Sequence, residues 1–325
     1  MVKAVSVTRY GGPEVLDLVD MATPVPGPGQ VLVGVAAAGV NYMDIYGRTG
    51  RAGYAAAPPF VLGAEGAGRV IALGDGVDGL DVGDRVAWKN APGSYAAEVV
   101  VAAAELVPVP DAMSDETAAA ALLQGLTAQY LVHSTYAVRP GDTVVVHAAA
   151  GGVGLLLTQM AARRGGRVVG TVSTIEKERL ARQAGANEVV RHDRTSLSET
   201  VHAFTDGEGA AVVYDGVGQA TFEESLRCLR PRGVLVAFGA ASGPVPPFDI
   251  QRLAPAGSLY ITRPTLVHYT RDRAELLDRA GQVFELIATG QLRLHIGGRH
   301  QLADARRAHR DLEGRATAGK LLLMP

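Results

Sequence analysis

The densest chemical signal in this 325-residue chain is residues 144–154, Val-Val-Val-His-Ala-Ala-Ala-Gly-Gly-Val-Gly. A run of apolar β-formers feeds a glycine cluster that opens a helix. Strand, glycine turn and helix in that order form a dinucleotide fingerprint, which glycines alone do not. Glycine lets the backbone close on a pyrophosphate. The helix start supplies free N–H groups and the positive end of its dipole. Gly151, Gly152, Val153 and Gly154 are the expected pyrophosphate contacts. Ala149 stands at the first glycine of the strict G-x-G-x-x-G, a small change. A second glycine run, residues 63–68, precedes a strand instead of following one. It reads as a barrel turn, with Glu65 near the site.

The strand after the glycine turn selects the cofactor. In NAD binders an acid at its end accepts the ribose hydroxyls. Here the strand over residues 167–171 runs into Val172, Ser173 and Thr174, with Lys177 shortly after. An acid would repel a 2′-phosphate. Hydroxyls and an ammonium would hold it through charge-assisted hydrogen bonds. The spacing predicts NADPH over NADH.

Other chemistries are excluded by count. Cys228 is the one cysteine. No disulfide, multi-cysteine zinc site or iron–sulfur cluster can form within one chain. With no histidine near it in sequence, Cys228 reads as a packed thiol. The eight histidines are scattered, without an H-x-x-x-H. His300 and His309 read as ordinary polar residues on a surface segment. Lys plus Arg is 31 and Asp plus Glu is 33, a net charge of −2. That balance argues against nucleic-acid binding, and the cluster Arg306, Arg307 and Arg310 reads as a solvated helix face. Two uncharged stretches, residues 117–138 and 143–162, are long enough to test as membrane spans. The first carries Gln124, Thr127, Gln129, His133 and Ser134, and the second is broken by Gly151 and Gly152. They read as a buried helix and as a buried strand turning into a helix. With no signal-peptide pattern, the expectation is a soluble cytoplasmic protein.

Two kinds of architecture must position these residues. Up to about residue 112 the pattern is short strands with Gly/Pro punctuation, which predicts an antiparallel, barrel-like unit. Ser114 then caps an Ala/Leu-rich helix running to about Tyr136, a bridge between domains. From residue 143, apolar strands (143–147, 167–171, 188–190, 211–214, 233–238) alternate with helices (152–164, 176–183, 197–204, 222–228). Such alternation predicts a doubly wound parallel sheet. A helix over 273–289 and a strand over 319–324 complete the chain.

Together these residues resemble the zinc-free NADPH:quinone oxidoreductases, the zeta-crystallin-like branch of the medium-chain dehydrogenase/reductase superfamily. The likeness spans essentially the whole chain. Its markers are Tyr10-Gly11-Gly12-Pro13-Glu14-Val15-Leu16, Gly39-Val40-Asn41-Tyr42-Met43-Asp44, Val82-Gly83-Asp84-Arg85-Val86 and the glycine turn. Tyr214-Asp215-Gly216-Val217-Gly218, residues 257–264 and Arg315-Ala316-Thr317 add to it.

The resemblance implies an α/β fold: a Rossmann sheet plus a GroES-like, β-barrel-like catalytic domain. The implied boundaries are residues 1–125 for the catalytic domain, 126–265 for the NADPH-binding domain and 266–325 for the return to the catalytic domain. It implies a homodimer through the sheet edge near residues 259–261. It places Asn41, Tyr46 and Thr127 at substrate and nicotinamide. Ser173, Thr174 and Lys177 are placed at the adenosine phosphate, and His192 beside the adenine. Phe238, Gly239, Thr262 and Arg263 are placed at the nicotinamide half, with Arg315 near the cofactor. Tyr46 and Thr127 could equally be packing residues, and Asn41 a helix cap. Zinc members carry a Cys in the segment matching 41–44 and a His-Glu pair near Gly63. This chain has Asn41 and Gly63-Ala64-Glu65 there. It also departs from the family at Gln124, often Lys, and at His192, often Tyr. The implied activity is metal-free hydride transfer from NADPH to quinones. The alternatives are NADPH-dependent reduction of enone or alkenal double bonds and, further off, an RNA-binding or lens structural protein.

Overall fold

A computed structural model describes residues 1–51, 53–54, 56–191 and 195–325. The chain divides into two compact units, one of Met1–Gln124 with Asp272–Pro325, the other Gly125–Arg271.

The first unit is built on a seven-stranded sheet. Its order is Ile296–Gln301, Lys320–Met324, Gln30–Val40, Glu65–Leu73, Arg85–Trp88 and Val107–Pro108, and Glu98–Ala102 also pairs with Gln30–Val40. A three-stranded sheet of Leu16–Met21, Val2–Val7 and Phe60–Val61 accompanies it. The C-terminal strand explains why a distant segment belongs here. It runs antiparallel to Gln30–Val40, with Leu321 opposite Val40 and Leu322 opposite Gly39. Leu321, Leu322 and Leu323 are all buried, each stabilising this return by about 1.5–3 kcal/mol. Trp88 is fully buried in this unit's core, its Nε1 donating to Ser94 Oγ at 2.8 Å.

One expectation is corrected. Residues 65–68 are not a turn. They open the strand Glu65–Leu73, with Gly66 opposite Trp88 and Gly68 opposite Val86. Glycine here serves close packing: a strand glycine leaves room for a large neighbour such as the Trp88 indole.

The second unit is a six-stranded parallel sheet of the Rossmann type. Its order is Glu188–Arg191, Arg167–Val172, Thr143–Val146, Ala210–Asp215, Leu229–Ala237 and Tyr260–Thr262. The direction of winding reverses between Thr143–Val146 and Ala210–Asp215, where such sheets bind ligands. The helix opening near Ser114 spans Asp115–Tyr130 and then widens into a π-turn, Leu131–Thr135. The Tyr214 hydroxyl lies 3.1 Å from the carbonyl oxygens of both Leu131 and Tyr136. Its one proton is shared between them, and the Leu131 carbonyl also accepts from Tyr136 N at 3.1 Å, the bond that closes the π-turn. No helix among the described residues is long and apolar enough to cross a membrane.

Candidate functional site

In the second unit, the glycine turn closes tightly. Ala148 is left-handed (φ 51°), and Gly151 N donates to its carbonyl at 2.8 Å. A Cβ on Gly154 would sit 2.2 Å from the Ala148 oxygen, so only glycine fits. Gly151 caps the helix Gly152–Arg163 without a side chain. The first N–H groups of that helix are therefore left for an anion, and the turn fits a pyrophosphate. At the end of the next strand, Thr174 caps the helix Ile175–Gln183, accepting from Lys177 N at 3.2 Å. The Lys177 ammonium leans to within 3.5 Å of Ser173 Oγ. Two hydroxyls and a cation thus gather where an acid would sit in an NAD site. Phe238 and Gly239 follow the strand Leu229–Ala237, and both N–H groups point to the Asp215 carbonyl, at 2.9 and 3.3 Å. Thr262 ends the strand Tyr260–Thr262, and Arg263 beyond it is exposed. Thr127 is buried on the helix Asp115–Tyr130. His192 lies outside the described residues.

In the first unit, Asn41 joins the strand Gln30–Val40 to the helix Tyr42–Arg48. Its Nδ2 donates to Glu65 Oε2 at 2.9 Å and to the Gly39 carbonyl at 3.3 Å. Its Oδ1 accepts from Lys320 Nζ at 2.8 Å and from Gln124 Nε2 at 3.3 Å. Its backbone N–H donates to Asp44 Oδ2 at 2.8 Å. Every hydrogen-bonding position of the amide is therefore used internally. Glu65 (0% exposed) pairs with Lys320 (1%), and its other oxygen accepts from Leu123 N at 2.7 Å. A Cβ on Gly39 would strike Glu65 Oε2 and Lys320 Nζ. The departure at Gln124 falls into place here. A lysine would bring a second ammonium toward the oxygen that Lys320 already uses.

This arrangement does not fit zinc. The residues at the ligand positions are an amide, an alanine and a carboxylate, and the carboxylate is already neutralised by a buried ammonium. A divalent cation beside that ammonium would be strongly repelled. Among the described residues, no group of three or more His, Cys, Asp or Glu could hold a metal.

A second buried chain starts at Asp44. Tyr95 OH donates to Asp44 Oδ2 at 2.9 Å and meets His309 Nε2 at 3.2 Å. Arg48 Nη1 lies 3.0 Å from His309 Nδ1, and its guanidinium forks onto Glu313 at 2.6 and 3.1 Å. Arginine only donates. His309 Nδ1 is therefore the acceptor and Nε2 carries the proton. Burial pushes the Asp44 carboxyl up to about 7. Burial, helped by the Arg48 charge, pushes His309 down to about 3. The reading of His309 as a surface residue is thus corrected: it is 0% exposed.

Tyr46 is half-buried, with the Arg51 guanidinium 4.4 Å above its ring and the Tyr54 ring edge-on at 5.0 Å. Arg315 is exposed and left-handed (φ 55°), two residues past the helix Ala305–Glu313. Cys228 is buried, and burial pushes its thiol up to about 12, which makes it a poor nucleophile.

Comparison with known proteins matches residues 27–111 to the alcohol dehydrogenase GroES-like domain and residues 152–281 to the zinc-binding dehydrogenase family. A quinone oxidoreductase of Pseudomonas aeruginosa is 46% identical over 327 residues, covering all of both chains. A 2-haloacrylate reductase of a Burkholderia species is 39% identical, covering all of this chain and 99% of that protein. Among solved structures, the Escherichia coli quinone oxidoreductase complexed with NADPH superposes with a TM-score of 0.97 at 39% identity, covering 99% of this chain and 100% of that one.

Proposed function

The chain belongs to the quinone oxidoreductase family of the medium-chain dehydrogenase/reductase superfamily, and from that premise we propose that it reduces quinones with NADPH, without zinc. The observation that carries this reading is the Glu65–Lys320 pair. Where a Lewis acid would polarise a carbonyl, this protein has a buried ammonium bound to its own carboxylate and amide. The acceptor must then be electron-poor already, as a quinone is.

Bound dihydronicotinamide supplies a hydride, and the quinone takes that hydride and a proton to become a hydroquinone. Gly151, Gly152, Val153 and Gly154 hold the pyrophosphate. Ser173, Thr174 and Lys177 hold the 2′-phosphate. Phe238, Gly239, Thr262 and Arg263 serve the nicotinamide half, His192 the adenine, and Arg315 lies near the cofactor. Asn41, Tyr46 and Thr127 are assigned to the acceptor and the nicotinamide. Tyr46 is the one aromatic side chain of the three, and aromatic rings are what quinones stack on; Arg51 already lies over its ring. Asn41 has no spare amide hydrogen bond, so its part is to hold the start of the helix that carries Tyr46. The protein works as a cytoplasmic homodimer in this proposal. The exposed outer strand Tyr260–Thr262, with Tyr260 60% exposed, supports pairing of two sheets along that edge.

Reduction of an activated double bond is the second reading, favoured by the similarity to a 2-haloacrylate reductase. NADPH consumption with 1,4-benzoquinone, 9,10-phenanthrenequinone and an enone separates the two. Quinones should be turned over best. Turnover of the enone alone would replace the first reading with the second.

A further inference from the structure

One buried histidine beside the glycine turn has a set of contacts that the assignments above leave without a purpose. His147 directly follows the strand Thr143–Val146, at the place where the winding of the sheet reverses. It is buried, and its backbone N–H donates to the Tyr214 carbonyl at 3.1 Å. Its two ring nitrogens reach opposite ways. Nδ1 lies 3.2 Å from Thr171 Oγ1, at the end of the strand that leads to Ser173 and Thr174. Nε2 lies 2.9 Å from Ser225 Oγ. Ser225 Oγ in turn lies 2.9 Å from Asp215 Oδ2, at the end of the strand on the other side.

We propose that His147 is a positioning residue for the dinucleotide, a neutral imidazole with its proton on Nε2 that ties the loops on both sides of the glycine turn into one support. This rests on the NADPH reading above. The direction of each hydrogen bond follows from the donors available. The Asp215 carboxylate accepts from Val217 N at 2.8 Å, from Gly218 N at 2.9 Å, from Thr221 Oγ1 and from Ser225 Oγ. The Ser225 proton is therefore spent on Asp215, and Ser225 Oγ can only accept from His147 Nε2–H. At the other end, Thr171 Oγ1 accepts from Ala148 N at 3.1 Å. Its own proton then points to the bare Nδ1. In this protonation state each of these donors has an acceptor.

The chain acts on the turn through Ala148. A residue with a Cβ adopts left-handed backbone only when its surroundings hold it there. Thr171 holds the Ala148 N–H and Gly151 holds its carbonyl. That same carbonyl is what excludes a side chain at Gly154. His147 thus fixes Thr171, Thr171 fixes Ala148, and Ala148 shapes the turn. Through Ser225 and Asp215 it also fixes the Val217–Gly218 turn, so the two halves of a dinucleotide would meet a single preorganised support.

Two measurements test this. In the cofactor-free protein at pH 7, long-range nitrogen–proton NMR of the histidine rings should show His147 neutral with the proton on Nε2. A proton on Nδ1, or a charged ring, overturns the proposal whatever the protein binds. The second is NADPH affinity by fluorescence titration, with melting curves confirming that each variant is folded. Thr171→Val, Ser225→Ala and His147→Phe should each weaken NADPH binding, by about 5- to 30-fold for one lost buried hydrogen bond. The KM for 1,4-benzoquinone should stay within about twofold. Thr171→Ser, which keeps the hydroxyl, should restore most of the affinity. Affinity within twofold of the unaltered protein in folded Ser225→Ala and Thr171→Val overturns the proposal. If the unaltered protein binds no NADPH, the cofactor reading fails instead, and the tautomer is still decided by the first measurement.

Discussion

Replacing Lys320 with methionine should cost the first unit more stability than its single charge suggests. Lys320 is 1% exposed and Glu65 is 0% exposed. Removing the ammonium leaves a carboxylate in the core with only the Asn41 amide and the Leu123 N–H as donors. Breaking one partner of a buried pair costs about 3–5 kcal/mol, because the remaining charge has no compensation. At about 2–4 °C per kcal/mol for a unit of this size, melting should fall by roughly 6–20 °C. The double variant Lys320→Met/Glu65→Gln removes both charges and should recover most of that loss, since a neutral replacement of a whole pair is often tolerated. Trp88 is the only tryptophan and is buried in the first unit. Its fluorescence during urea unfolding therefore follows this unit alone. A loss below about 1 kcal/mol in Lys320→Met, or a double variant as unstable as the single one, would refute the claim that the two charges compensate each other.

Other outcomes follow from the same geometry. Burial holds Asp44 at about 7 against 3.8, so the folded protein keeps a proton that the unfolded chain has lost, and its contribution to stability falls by up to about 4 kcal/mol as pH rises from 4 to 7. His309, held at about 3 against 6.5, stays neutral where the unfolded chain is charged, and contributes a rise of up to about 5 kcal/mol from pH 3 to 6.5. The two slopes oppose, so Asp44→Asn should steepen the gain in stability between pH 4 and 6.5; urea unfolding across that range that leaves the slope unchanged would contradict it. Lys177→Glu should weaken NADPH binding more than NADH binding, and an equal effect on both would remove Lys177 from the phosphate site. Cys228, with its thiol raised to about 12, should resist iodoacetamide in the folded protein at pH 8 and react once per chain after denaturation.

What could be read from the sequence was what is local in the sequence. The glycine turn and the Ser173–Thr174–Lys177 group each lie within a few residues, so spacing alone placed them on a strand end and a helix start. The polar cores could not be read that way. Asn41 and Lys320 are 279 positions apart, and Arg48 and His309 are 261 apart. His309 looked exposed because Arg306, Arg307 and Arg310 surround it. Helical spacing carried a contrary signal: Ala305, Ala308, His309 and Leu312 fall on one face, and the first three are buried. Lys320 carried a weaker one, as the first residue of an otherwise apolar buried strand. The partners of His147 come from three separate elements, and nothing local connects them. Glu65 was placed near the site but on a turn, because glycine-rich runs usually mark turns. Here strand pairing with Trp88 and Val86 decided the matter.

The central claim is metal-free hydride transfer from NADPH to a quinone. It is tested most directly by following NADPH absorbance with 1,4-benzoquinone, using protein treated with a chelator and assayed for zinc. The account predicts one NADPH consumed per quinone reduced, at a rate that the chelator leaves unchanged, in protein with far less than one zinc per chain. Turnover that vanishes with the metal and returns with added zinc, or no turnover of the quinone at all, would contradict it.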